Sequence, residues 1–182
     1  MSETYEGYLE VILGPMFAGK TTKLIEKYRE CMFLKKRVCV INYEDDKRYD
    51  SEKLSSHDLV KIDSTNLKNI SDIFNKKDLL ECEIFLINEG QFFPDIFLCV
   101  KRLVEEYNKK VYVYGLDGDY KREKFGDILD LIPLCNKVKK LTALCNICKN
   151  GRKAYFTKRL SNETSQKVIG SDNYIAVCRN CY

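Results

Sequence analysis

Apolar and polar positions alternate along this chain in blocks that switch between two periods. Residues 8–13 (YLEVIL) form a strand-sized apolar run that ends at a glycine turn. Over 20–34 the spacing changes: Leu24, Ile25, Tyr28, Cys31 and Met32 fall on one face of a helix. Arg37–Asn42 is a second short apolar strand, 43–58 is polar and reads as a loop, and Leu59–Ile62 is a further short strand. A short helix is expected over 66–75 and a buried strand over Glu83–Ile87. Pro94 suits the first turn of a helix over 95–108, and Val111–Leu116 is another buried strand. Strand and helix thus alternate to about residue 134, the signature of a parallel sheet with helices on both faces.

The texture changes after Leu141. Residues 145–182 have little helical periodicity, a polar centre (SNETSQ) and two C-x-x-C pairs. About 40 residues cannot bury enough apolar surface to hold themselves together, so a metal is expected to supply the missing stability. The expected division is a nucleotide-binding α/β domain over 1–142 and a small cysteine-rich domain over 143–182.

Composition narrows the class. The 182 residues are 45% hydrophobic and 32% charged, an ordinary globular balance. A net charge of +4, spread over dispersed pairs such as Lys109–Lys110 and Lys139–Lys140, gives no concentrated basic face, so no nucleic-acid partner is expected. No apolar run reaches bilayer length, and the start MSETYEGY lacks the layout of a signal peptide, so no membrane partner is expected. The nine cysteines are an odd number, which rules out a complete disulfide framework. Cys31, Cys39, Cys82, Cys99 and Cys135 sit in apolar stretches and read as core residues; together the cysteines point to a reducing, cytoplasmic compartment.

The chemistry is densest at Gly14-Pro15-Met16-Phe17-Ala18-Gly19-Lys20-Thr21, which fits G-x-x-x-x-G-K-[ST] at every fixed position. A strand precedes it and a helix follows, as a phosphate-binding loop requires. The glycines let backbone N–H groups turn inward, the helix N-terminus adds partial positive charge, Lys20 neutralises β/γ oxygens and the Thr21 hydroxyl ligates Mg²⁺. An acid at the end of a neighbouring strand should help hold that metal. After Ile84–Ile87 the chain has Asn88, where an aspartate is expected, and then Glu89. Asn88 could still accept from a Mg²⁺-bound water. Asp45 and Asp46, in the polar loop, are further carboxylates.

Cys145-x-x-Cys148 and Cys178-x-x-Cys181 make a four-thiolate set that fills a tetrahedral Zn²⁺ and leaves no place for water, so the zinc is structural. A redox dithiol pair and an iron–sulfur cluster are the alternatives. The lone histidine, His57, is far off in sequence. Closing the two pairs makes the polar stretch Ser161–Asn173 a lasso.

The chain resembles the type II thymidine kinases. The strings that carry the likeness are VILGPMFAGKTT (11–22), KRYDSEKLSSHD (47–58), EGQFFPDI (89–96), GLDGDYKREKFG (115–126), VKKLTALC (138–145), FTKRL (156–160) and VCRNCY (177–182), in the family's order. The resemblance implies a P-loop NTPase-like parallel sheet flanked by helices, with a small zinc-ribbon lasso domain covering the nucleoside. It implies transfer of the γ-phosphate of ATP to the 5′-hydroxyl of thymidine, with Mg²⁺ and Zn²⁺ as cofactors. Glu89 matches the family's catalytic base, Lys20 and Thr21 its phosphate and Mg²⁺ residues, and Arg48 an arginine close to the reacting phosphates. Thr22, Asn88 and Asp46 complete the implied ATP and Mg²⁺ site. Phe92 and Phe125 match aromatics beside the nucleoside, and Tyr120 stands against the base. Met16, Leu116 and Tyr174 match residues around the thymine methyl group, while Thr157, Ile169 and Gly170 bring in the lasso, which holds the base largely through backbone hydrogen bonds. A homotetramer inhibited by dTTP is also implied. Three departures stand out: Asn88, a segment 169–174 one residue short, and an end one residue after Cys181, which suggests a chain naturally short or clipped. A nucleic-acid-dependent ATPase with a zinc ribbon and a non-catalytic nucleotide binder are the competing readings.

Overall fold

A computed structural model of the chain describes residues 6–44, 53–55, 61–168 and 172–182. The first apolar run forms β1 (Tyr8–Leu13), followed by α1 (Lys20–Phe33) and β2 (Val38–Tyr43). A small hairpin, β3 (Lys53–Ser55) with β4 (Lys61–Asp63), precedes β5 (Thr65–Leu67). Then come a 3-10 helix over Ile70–Asn75, the short α2 (Lys77–Leu80), β6 (Ile84–Ile87), α3 (Ile96–Glu105) and β7 (Lys110–Gly115). A 3-10 helix over Ile128–Leu134 leads to β8 (Lys137–Lys140). The rest is short: β9 (Ala143–Leu144), β10 (Lys153–Ala154), β11 (Phe156–Arg159) and β12 (Tyr174–Val177).

Six of these strands make one sheet in the order β5-β2-β6-β7-β1-β8, and every pairing in it is parallel. The expected parallel α/β sheet is therefore the observed one. Strand alternation sorts the side chains between two cores. Leu9, Val11 and Leu13 of β1 face the side covered by α3 and the two 3-10 helices, with Ile41, Phe85, Ile87, Val111 and Val113 beside them. Ile12, Val40, Leu86, Tyr112 and Tyr114 face α1, which supplies Leu24, Ile25 and Cys31. Both faces are covered, so the central strands read as unbroken apolar runs. Each fully buried large side chain, Phe85 and Leu24 among them, contributes roughly 1.5–3 kcal/mol.

Several boundaries differ from the sequence pattern. The helix expected over 66–75 is not formed as such. Thr65–Leu67 pairs in parallel with Ile41–Tyr43 as an edge strand, and only 70–75 turns, as a 3-10 helix. The Asp95 carboxylate accepts from the N–H groups of Ile70 and Ser71, satisfying orphan donors at that helix start. Leu59 lies outside the described residues, and Ile62 belongs to the β3–β4 hairpin. Met32, placed by periodicity on the buried face of α1, is half exposed beside Phe33, which is 86% exposed. Of the five scattered cysteines, Cys31, Cys39 and Cys99 are buried, while Cys82 and Cys135 are half-buried at the core's edge. The strand KVKK over 137–140 has no apolar run to signal it. It closes the sheet's edge beside β1 with its side chains exposed, a charged edge that discourages further strand pairing.

Beyond β8 the chain folds into two small antiparallel pairs, β9–β10 and β11–β12. Their core is small: Ala143, Cys145, Ala154, Ala176, Val177 and Cys178, with Ala18 of the β1–α1 loop packed against it.

Candidate active site and cysteine cluster

In a parallel sheet all strands end on one side, and the chemistry gathers outside those carboxyl ends. β1 ends in the glycine loop, β6 in Asn88-Glu89, and β7 in Leu116. These ends and the β11–β12 hairpin line one cleft that is open to solvent.

The loop over Gly14–Lys20 is held in its curve by backbone geometry. Gly14 lies so close to the chain leaving β8 that a Cβ there would sit 2.8 Å from the Leu141 carbonyl oxygen. Phe17 and Gly19 have φ of 63° and 79°. Gly19 precedes α1 without a side-chain cap, and no acidic residue lies in the first turn. The helix therefore presents uncapped N–H groups to the cleft, an anion-binding arrangement. Lys20 is buried, and its Nζ donates to the carbonyls of Gly14 (3.0 Å) and Pro15 (2.8 Å), inside the loop's arc. Phe17, Ala18, Gly19, Thr21 and Thr22 line the cleft with it.

Glu89 sits opposite. It is 8% exposed, lines the same cleft, and has φ 52° and ψ 44°, a left-handed conformation uncommon for a residue with a Cβ. Such local strain is typically held in place by the surrounding structure at sites of function. Gln91, two residues on, bonds to it: its Nε2 donates to Glu89 Oε2 at 2.7 Å, while its Oε1 accepts from the Leu116 N–H at 2.9 Å. The second bond fixes which end of the amide faces the carboxylate. Asn88, the residue before Glu89, is not among those lining the cleft. It is 1% exposed, and its Nδ2 donates to Asn42 Oδ1 at 2.9 Å.

The far wall is aromatic. Phe92 and Phe125 meet edge to face with centroids 5.5 Å apart, and Tyr43 packs on Phe92 at 5.4 Å. Met16, Leu116, Tyr120, Thr157 and Tyr174 also line the cleft. The Met16 N–H donates to Thr157 Oγ1 at 3.0 Å, tying the phosphate loop to β11. Arg48, Asp46, Ile169 and Gly170 lie outside the described residues, as do Asp45 and His57.

Sequence reasoning passed over several residues here. Asp119 is buried and accepts from the N–H groups of Lys121 and Glu123 and, through Oδ2, from Gln166 Nε2 at 2.8 Å. Lys167 places its ammonium 4.2 Å from the Tyr43 ring centroid and 4.9 Å from that of Phe92. Arg159 is buried beneath the chain between β11 and β12. One signal was available: Thr157 and Arg159 are two apart on a strand, so whatever face one presents the other shares.

The four sulfurs of Cys145, Cys148, Cys178 and Cys181 lie within 4.8 Å of one another. Cys148 Sγ is 3.6 Å from Cys178 Sγ and 3.2 Å from Cys181 Sγ. A tetrahedron of sulfurs about 2.3 Å from zinc has edges of about 3.8 Å, so the set fits the ion closely. Backbone N–H groups, that of Cys148 first, bring the Cys145 thiol down to about 6. The hydrogen bond with Cys148 pushes the Cys181 thiol up to about 12, so the fit to a thiolate-bound cation rests on the donor set and its spacing. The knuckle is tied to the cleft as well, because the Tyr182 hydroxyl donates to the Tyr120 carbonyl.

The family model described as thymidine kinase matches residues 7–182. A thymidine kinase of Oryza sativa subsp. japonica is 40% identical over 184 residues, covering 98% of this chain and 67% of that protein. A Variola virus thymidine kinase is 40% identical over 177 residues and covers 97% of both chains. A cytosolic thymidine kinase of Cricetulus griseus is 42% identical over 178 residues, covering 97% of this chain and 73% of the relative.

Proposed function

Since this chain belongs to the thymidine kinase family, a group of phosphotransferases, we propose that its cleft carries out the transfer from ATP to the thymidine 5′-hydroxyl with Glu89 as the base. The observation that carries this is the convergence of Lys20, Glu89 and the Phe92–Phe125 wall on a single cleft.

Phosphoryl transfer is mainly positioning and electrostatics. The Gly14–Thr22 loop and Lys20 hold the ATP phosphates. A divalent cation, Mg²⁺ in this reading, supplies charge neutralisation when bound, with the Thr21 hydroxyl as its protein ligand. Asp46 and Arg48 complete the phosphate side. The aromatic wall and Tyr120 flank the base, Met16, Leu116 and Tyr174 surround its methyl group, and Thr157 with Ile169 and Gly170 closes the lasso over it. Glu89 takes the proton from the 5′-hydroxyl, and the Gln91 amide donates to one of its oxygens and so orients the carboxylate. Cys145, Cys148, Cys178 and Cys181 hold structural zinc, and residues 143–182 act as the lasso domain on a nucleotide-binding domain of 1–142. Inhibition by dTTP and a cytoplasmic homotetramer follow from the family resemblance; the exposed Phe33 is consistent with a surface that other copies cover. Among the described residues no helix is long and apolar enough to cross a membrane.

The test is a coupled assay of ATP with thymidine, deoxyuridine and deoxycytidine. Thymidine should be turned over best. Deoxyuridine, lacking one methyl group, should lose about 1–3 kcal/mol of specificity. Equal turnover of deoxycytidine would overturn the assignment of the base site.

A further inference from the structure

Arg159 is a charged side chain buried to 7% exposure, and none of its bonds goes to the reacting groups. An arginine carries five N–H donors in a rigid planar fork. All five are used here. Nη1 donates to the carbonyls of Glu163 (2.8 Å) and Ser165 (2.6 Å). Nη2 donates to the Gln166 carbonyl (3.1 Å) and the Tyr174 hydroxyl (2.7 Å), and Nε donates to that same hydroxyl (3.2 Å). The Tyr174 hydroxyl itself donates to the Val168 carbonyl at 3.1 Å. The flat face of the guanidinium lies 3.7 Å from the Tyr120 ring centroid. The Tyr120 hydroxyl in turn donates to the Thr164 carbonyl at 3.0 Å.

Among the described residues this cation has no carboxylate partner. Its charge is met by three peptide carbonyls, one hydroxyl and a π face. Each of those groups belongs to the segment over the cleft or to its wall. Residues 160–168 form no helix or strand, so their carbonyls have no ladder to fix them. The fork supplies the missing frame.

We propose that Arg159 is the positioning residue of the nucleoside site: it sets the path of residues 163–168 and the seats of Tyr120 and Tyr174, and so fixes nucleoside affinity without touching substrate. Lysine cannot replace it. An ammonium keeps the charge but offers three donors from one point, without the planar fork or the flat stacking face. The inference rests on the reading of the cleft as a nucleoside site.

The experiment compares Arg159→Lys and Arg159→Gln with the unaltered protein, after zinc content and far-UV circular dichroism have been measured for each. Steady-state constants are then taken separately for thymidine and ATP. The unaltered protein tests the cleft assignment by itself, since failure to phosphorylate thymidine would sink that reading before any variant is read. For both variants the expected result is a rise of at least about tenfold in the thymidine KM, equivalent to about 1.4 kcal/mol. The ATP KM should change by less than about twofold, because the phosphate loop contributes none of the four acceptors. A wild-type thymidine KM in the lysine variant would overturn the proposal, since charge alone would then suffice. So would parallel loss of both KM values, or loss of zinc and secondary structure in both variants, which would make Arg159 a general folding residue.

Discussion

Replacing Gln91 by glutamate probes the base with little change of shape. Gln91 Nε2 donates to Glu89 Oε2 at 2.7 Å, and Oε1 accepts from the Leu116 N–H. In Gln91→Glu the bond from Leu116 survives, because a carboxylate oxygen accepts as well as an amide oxygen. The other bond is inverted: a donor becomes a like charge. Two carboxylates whose charges lie about 4 Å apart repel by about 4 kcal/mol at an effective dielectric of about 20. That corresponds to about three pKa units shared by the pair. The pair keeps one proton to a higher pH, so at neutral pH a share of the enzyme has its base protonated. The sign follows: activity falls most at low pH and recovers as pH rises. The assay is kcat/KM for thymidine from pH 5 to 9 at saturating ATP, with thymidine binding measured in parallel. The acid limb should move up by at least about one unit. An acid limb within about 0.3 unit of the parent's would refute the assignment of Glu89 as base or of Gln91 as its partner.

Other outcomes follow from the same geometry. Glu89→Gln should lower kcat by at least about a hundredfold while ATP still binds, because the amide oxygen can still accept from Gln91; near-normal turnover would remove Glu89 from the mechanism. Stripping zinc should disorder residues 143–182 and abolish thymidine binding, since their apolar core is little more than three alanines, a valine and two cysteines; active protein with no metal by elemental analysis would refute the clamp. Asn88→Asp should lower the Mg²⁺ concentration needed for half-maximal rate at fixed ATP, provided Asn42 turns its amide to donate; an unchanged titration would assign the metal's carboxylate elsewhere, Asp46 being the candidate.

The sequence by itself determined the parts that depend on near neighbours. Strand and helix periods follow from a few residues' spacing, so β1, α1, β6, α3 and β7 were legible within a residue or three. The phosphate loop and the cysteine pairs were legible for the same reason: each needs a fixed local spacing. Only the tertiary structure decided what distant segments do to one another. Thr65–Leu67 became a strand because β2 offered it an edge, overriding a weak local helical pattern. KVKK joined the sheet because β1 had a free side, and its lysines hid it from any apolar test. The Met16–Thr157 bond spans 141 positions and the Gln91–Leu116 bond spans 25, and nothing in either local pattern announces its partner. Arg159 is the sharpest instance. Inside FTKRL it reads as one more exposed cation. Burial and four well-placed acceptors make it the frame of the segment over the cleft, because in a low-dielectric site a charge must find every partner its geometry demands.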